Sequence, residues 1–273
     1  MPLGVAGWWL TARFAAETPR LSERGVDLPG QVTSIITLTG LTGATIEAGT
    51  AGFRAPLVIG GYALALAAGV SFALIERARD RPMQPPRLFR SAAFRTTMVI
   101  GMLNNVVFYG LIFALSLFLQ HQRGLSPLSA GLAFLPATAA IMASNVIAAR
   151  AISALGARRV IAAGALAMGL GCLGMYGLVA SLVGLSVALA VTGFGIGLIA
   201  VPLTSALLGS VEPSRSGTAS GALTAFRQTG SVLGVAVSGS LLASQGDVVG
   251  LHEALLSAAG LMLVVVTLSF RLT

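Results

Sequence analysis

The sequence predicts an all-α, polytopic membrane protein, and three observations carry that expectation. Of its 273 residues, 55% are hydrophobic and only 10% charged, with a mean hydropathy of +0.89; a soluble domain carries about 25% charge. The apolar residues fall in runs of about 20 or more, enough to cross roughly 30 Å of hydrocarbon as helix at about 1.5 Å per residue. Aromatic residues are scarce at 6% and Gly reaches 34, which suits packed helices and lacks the girdles and alternation of a membrane barrel.

Taken in order, the chain opens on Pro2–Ala12, an apolar stretch about 16 Å long as helix, half of a bilayer. Residues 1–15 are therefore expected to be a truncated transmembrane helix. A signal peptide is the competing reading, with small residues near Phe14–Ala16, but the basic region that must precede its apolar core is missing. Residues 28–76 are expected to form a two-span linker hairpin, with spans at 28–47 and 56–76. Residues 77–93 form the longest polar connection, a cytoplasmic linker holding Pro82, Pro85 and Pro86. Residues 94–273 then make a compact six-span bundle, with spans at 97–119, 128–149, 160–180, 182–207, 219–243 and 250–270.

Sidedness follows from arginine, because loops rich in Arg remain cytoplasmic. One alternate set of loops holds Arg13, Arg20, Arg24, Arg77, Arg79, Arg81, Arg87, Arg90, Arg95, Arg150, Arg158, Arg159, Arg215 and Arg271. The opposite set holds only Arg54 and Arg123. The C-terminus is thus expected in the cytoplasm, with the protein multi-pass in the cell (inner) membrane. The net charge of +8 is explained by that topology, so nucleic acid is not an expected partner. The single Cys172 excludes an internal disulfide and, inside an apolar run, reads as a small packed side chain.

Within the spans a few polar residues stand out. Arg227 is costly, because an unpaired guanidinium at the bilayer centre costs at least about 2.5 to 3.5 kcal/mol. If its span starts near Ala219, Arg227 lies about 12 Å along it, able either to snorkel or to line an aqueous path. Asn104, Asn105 and Asn145 place amides at mid-span, where each must find a neighbouring helix or water. Of the acidic residues only Glu47 falls in a span, near its outer end, and none is a convincing proton-coupling group. Gly169, Gly171 and Gly174 spell GxGxxG but lie inside an apolar span, without the strand a dinucleotide site needs. Gly193, Gly195 and Gly197, and the GxxxG pair Gly230 and Gly234, read as small-residue faces for close helix packing. Pro136 and Pro202 are expected to kink their helices. His121 and His252 are read as structural or solvated, in connections on opposite sides, with no second ligand at metal spacing. No catalytic constellation, cofactor or metal is expected.

The stretch Phe118–Pro136, FLQHQRGLSPLSAGLAFLP, contains Leu119, Gln120, Gly124, Ser126, Pro127, Ala130, Gly131, Leu135 and Pro136. It resembles the major facilitator superfamily, and within it the fourteen-span drug:proton antiporter branch (EmrB/QacA type). A second likeness, EPSRSGTASGALTAFRQTGSVLGVAVSG over Glu212–Gly239, carries Gly217, Ala219, Ser220, Gly221, Arg227, Gln228, Gly230 and Gly234. Leu88–Arg90 followed by Phe94 looks like the family's entry to its C-terminal half. Pro2, Leu3 and Gly4 look like its sixth span, which places this chain as a C-terminal portion lacking about the first five spans. Ala149–Arg159 resembles the second copy of the superfamily's cytoplasmic loop: Gly156, Arg158 and Arg159 fit, but Ser153 stands at the acidic position and Ala149 at the leading glycine. Those arginines read as headgroup-level anchors.

The resemblance implies a secondary active transporter that exports drugs or other small molecules, by proton-coupled antiport with alternating access. Arg227, Gln228, Asn104, Asn105, Asn145 and Gln120 become the substrate-path candidates. Expected partners are the lipid bilayer, a small-molecule substrate, protons and an N-terminal half, without which the chain is expected to be inactive. The alternative is a non-transporting scaffold, or a half-transporter subunit, pairing through its glycine faces. An intramembrane enzyme lacks the residues.

Overall fold

A computed structural model describes residues 2–14, 28–52, 54–78, 88–179 and 181–272, and every regular element among them is helical. Arg20, Arg24, Arg79, Arg81, Arg87 and the prolines of the 77–93 linker lie outside the described residues. The helices are α1 (Pro2–Phe14), α2 (Leu28–Ala51) and α3 (Pro56–Ala78), then α4 (Ala92–His121), a short α5 (Pro127–Leu132) and α6 (Leu135–Leu178). α7 (Leu182–Gly209), α8 (Ser216–Gln245) and α9 (Asp247–Ser269) complete the chain.

Serine starts three of these helices. Ser91 Oγ accepts from the Phe94 N–H at 3.4 Å, Ser126 Oγ from Ser129 at 3.2 Å, and Ser181 Oγ from Gly184 at 3.2 Å, each satisfying an amide the helix leaves unpaired. Ser126 is followed by Pro127 in the first turn of α5, where proline's missing N–H costs nothing. Gly124, at φ +62°, turns the chain out of α4. Pro136 departs from the expected mid-span kink. It stands in the first turn of α6, after a break at Ala133–Phe134, so it begins a helix instead of bending one. Pro202 does lie inside α7.

α6 is a hairpin. At Gly156 the backbone takes φ 78° and ψ 153°, a region open essentially to glycine alone. The arm 135–155 runs parallel to α7, with Gly193 against Ala137 and Gly197 against Ser144; the arm 157–178 runs antiparallel, with Gly195 against Gly164 and Met168, and Thr192 against Gly171. α7 is clasped between the two arms. Among the described residues, the run Pro127–Leu178 is one of five helical stretches long and apolar enough to cross a membrane, with Pro56–Ala78, Ala92–His121, Leu182–Gly209 and Asp247–Ser269. Its two arms are about 31 and 33 Å long, each sufficient for a crossing. α2 and α8, expected as spans, are long enough but less apolar, being rich in Thr, Ser and Gly. Their hydroxyls bond within their own helices, as Thr37 does to the Thr33 carbonyl at 2.7 Å and Thr229 to Ala225 at 3.0 Å, which removes much of the cost of placing them in lipid.

Contacts at the helix tips sort the bundle into two ends. Arg158 Cζ lies 4.6 Å from the Phe270 ring, and the Phe89 ring packs 6.4 Å from Phe226. At the opposite end His121 meets Asp247, Arg123 Nη2 donates to the Val179 carbonyl at 2.7 Å, and the Tyr176 and His252 rings are 4.6 Å apart. Both histidines therefore stand at one end, not on opposite sides: His121 closes α4 while His252 opens α9, which runs the other way. Arg90, Arg95, Arg150, Arg158, Arg159, Arg215 and Arg271 gather at the Phe270 end and Arg123 at the His121 end. α2 and α3 form an antiparallel hairpin, with Gly61 against Ala44 and Gly69 against Thr37. The outer surface is apolar, with Leu57, Leu66, Leu128 and Val183 all more than two-thirds exposed, as a lipid-facing surface requires.

Candidate functional site

α4 and α8 run parallel and touch backbone to backbone. A Cβ on Gly230 would collide with the Met102 carbonyl, and one on Gly234 with the Val106 carbonyl; from the other helix, Gly110 abuts Ser238 and Gly234. That approach lets a short side chain reach across. Asn105 Nδ2 donates to the Arg227 carbonyl at 3.0 Å and to Ser231 Oγ at 3.2 Å. Ser231 Oγ is itself 3.0 Å from the Arg227 carbonyl and 3.5 Å from Gln228 Oε1. Asn105, Arg227, Gln228 and Ser231 thus form one polar cluster on the α4–α8 seam.

Arg227 is half-buried, its stem against Gly101. α8 begins at Ser216, not Ala219, so Arg227 lies about 16 Å along it, a turn deeper than expected. Among the described residues no carboxylate pairs with its guanidinium. Gln228 is exposed beside it.

The other path candidates sit elsewhere. Asn104 is buried one residue before Asn105, and its Oδ1 finds no hydrogen-bond partner among the described residues. Asn145 Oδ1 is likewise buried and unpartnered, close to Gly197 on the α6–α7 contact. Gln120 spends its amide within α4, donating to the Ser116 carbonyl at 3.1 Å and Ser116 Oγ at 3.0 Å. Gly156, Arg158 and Arg159 mark the α6 turn, far from the seam cluster. No group of His, Cys, Asp and Glu able to hold a metal occurs among the described residues.

From Ser231 a crevice of about 630 Å³ runs along α8 to the His121 end. Phe113 and Leu117 of α4, Val235 of α8 and Ile46 of α2 form its walls. At its mouth Asp247 Oδ2 lies 3.3 Å from His121 Nδ1 and accepts from Gln122 Nε2 at 3.3 Å. Sequence reasoning missed Ser231, the part played by α2, and this mouth. A signal for Ser231 was present, since it follows Gly230 and lies one turn beyond Arg227. His121 and Asp247 are 126 residues apart, and no pattern within either segment couples them.

Membrane-length helices with an apolar exterior, close glycine crossings and arginines gathered at one end define an all-α, multi-pass membrane protein. The chain belongs to the Major Facilitator Superfamily, whose profile matches residues 10–235 and 97–273. It is similar to the methylenomycin A resistance protein of Streptomyces coelicolor, 33% identical over 249 residues, covering 90% of this chain and 52% of that protein. The multidrug resistance protein Stp of Mycobacterium tuberculosis is 31% identical, covering 89% of this chain and 46% of its own. The drug efflux pump JefA of the same organism is 31% identical, covering 89% and 48%. The chain spans about half the length of the curated relatives it matches.

Proposed function

We propose that this chain is the C-terminal portion of a secondary active exporter of the fourteen-span drug:proton antiporter branch, moving a small amphipathic compound by alternating access between two bundles. The observation that carries the reading is the crevice along α8 that begins at Ser231, the residue that also joins the Asn105, Arg227 and Gln228 cluster on the α4–α8 seam. The names of the relatives, resistance proteins and efflux pumps about twice as long, support it. On this reading the Arg158–Phe270 end is cytoplasmic, with the C-terminus, in the cell inner membrane. Protons are the proposed coupling ion and an N-terminal half the proposed partner. Gly230 and Gly234, through which a scaffold would pair, are already occupied by α4, which favours transport over scaffolding.

The test is dye efflux driven by a pH gradient in proteoliposomes. The 273-residue chain alone is expected to show none, and a complete transporter containing it is expected to show efflux that collapses when the gradient is dissipated. Gradient-driven efflux by the chain alone would overturn its need for a second half. Absence of efflux from the complete protein across a broad dye panel would overturn the exporter reading.

A further inference from the structure

We infer that the corner of the bundle where the α6 turn meets the tip of α9 holds an anionic phospholipid, its phosphate among Arg158, Arg159 and Arg271 and an acyl chain along the apolar stripe beneath them. Arg158 Cζ lies 4.6 Å over the Phe270 ring, a cation–π contact that steadies the guanidinium without using any of its N–H donors. Arg159 follows Arg158 in the chain and Arg271 follows Phe270, so that one contact brings three arginines to one corner. All three are exposed, and among the described residues none is hydrogen-bonded through its side chain or paired with a carboxylate. Glu212, an acid at the same end, keeps to Arg215 at 3.8 Å. The turn itself adds to the positive charge. At Gly156 the backbone leaves helical geometry, so the arm 157–178 starts afresh there and brings the positive end of its dipole to the same corner.

Three unmatched arginines facing water would need no ligand beyond water. What lies beneath them sets this corner apart. On the arm 157–178, Ala163, Leu166 and Leu170 repeat the face of Arg159 at helical spacing, and all three are exposed. Leu170 stands about 16 Å from Arg159 along the helix, close to half of a hydrocarbon core roughly 30 Å thick. On α9, Leu263 lies two turns from Phe270 and is 61% exposed, so the apolar bed continues across the α6–α9 contact, where Met262 packs on Gly169. A soluble anion would satisfy the arginines and leave that bed bare. A zwitterionic lipid would cover the bed but bring its own cation to a corner already positive. A phosphodiester without a countercharge, carried on acyl chains, fits both parts: its oxygens accept the forked N–H groups of arginine, and anionic lipid surfaces attract basic clusters. This site needs only that the chain spans a membrane, and it stands whether or not the protein exports.

Native mass spectrometry of the purified 273-residue chain, titrated in detergent with dioleoyl phosphatidylglycerol, counts the lipids bound and gives the affinity of the first. Dioleoyl phosphatidylcholine and glycerol phosphate are the comparison ligands: one has the chains without net charge, the other the phosphate without the chains. One phosphatidylglycerol is expected to bind about tenfold or more tightly than either. Arg158→Gln and Arg159→Gln should each weaken it about fivefold, the worth of one basic residue at an anionic surface, and leave phosphatidylcholine unchanged. Arg215→Gln, which removes a charge that Glu212 already matches, should leave both lipids unchanged. Arg159→Gln carries the test alone where loss of the Arg158–Phe270 contact unfolds the α6 turn. Equal affinity for the two lipids, glycerol phosphate binding as tight as phosphatidylglycerol, no effect of Arg159→Gln, or an equal effect of Arg215→Gln would each overturn the proposal.

Discussion

Asn105 and Ser231, separated by 126 residues in the chain, are hydrogen-bonded at 3.2 Å across the α4–α8 seam. The same amide nitrogen reaches the Arg227 carbonyl at 3.0 Å, so one side chain ties a polar stretch of α4 to a polar stretch of α8. The bond exists because Gly230 and Gly234 remove the side chains that would hold the helices apart.

Replacing Asn105 with Leu is expected to destabilise the fold by about 0.6 to 1.7 kcal/mol, the range for interhelical hydrogen bonds in membranes. Ser231→Ala should cost less, since Asn105 keeps the Arg227 carbonyl. Unfolding titrations in mixed micelles on both variants and their double mutant give the coupling directly.

Gly230→Ala and Gly234→Ala each place a methyl against a carbonyl of α4, and overpacking of this kind costs about 1 to 3 kcal/mol. Gly221, on the same helix, has open space around the same position. Gly221→Ala should be neutral or stabilise by about 0.4 to 1 kcal/mol. Thermal unfolding of the three variants checks the contrast.

Gly156→Ala forces an ordinary residue into φ 78° and ψ 153°, at about 1 to 3 kcal/mol. The strain is relieved by opening the α6 turn. Val160 and Ala148, which now pack in one cluster with Leu198, should separate. Disulfide crosslinking between cysteines placed at those two positions, in a Cys172→Ser background, should fall relative to the parent hairpin.

Arg227→Ala should lower efflux by the complete transporter at least about tenfold while leaving its assembly intact. Transport unchanged in that variant would place the guanidinium outside the translocation path.

Impermeant thiol reagents should label cysteines introduced at Ser153 and at Arg271 from one face of the membrane, and one at Arg123 from the other. Labelling of Ser153 and Arg271 from different faces would contradict the two ends defined by the Arg158–Phe270 and Arg123–Val179 contacts.

The all-α membrane fold was legible because hydrocarbon thickness imposes a length on every crossing, and that length is written in the apolar runs. Ser126 and Pro127 entered the sequence reading only as part of a family likeness, and their local role, Ser126 Oγ capping α5 with Pro127 in its first turn, came from the structure. Where a residue acts through a partner far along the chain, periodicity holds no information. Asn105 and Asn104 are indistinguishable as neighbours in sequence, yet one bonds α8 and the other keeps a buried oxygen with no partner among the described residues. Pro136 misled because proline inside an apolar run reads as a kink, and the break at Ala133–Phe134 that turns it into a starting residue has no comparable signal. The mouth formed by His121 and Asp247 depends on α4 and α9 meeting tip to tip, a matter of bundle geometry alone.

The clasp of α7 between the two arms of α6 has a bearing on how the protein is made. All three helical segments of that unit are consecutive in the chain, so its contacts close over short loops and can form early. α4 lacks that economy, because its close-packed partner α8 follows only after the whole α6–α7 wedge in the chain. Until α8 is in place the Asn105 amide has neither of its two acceptors, the Arg227 carbonyl and Ser231 Oγ.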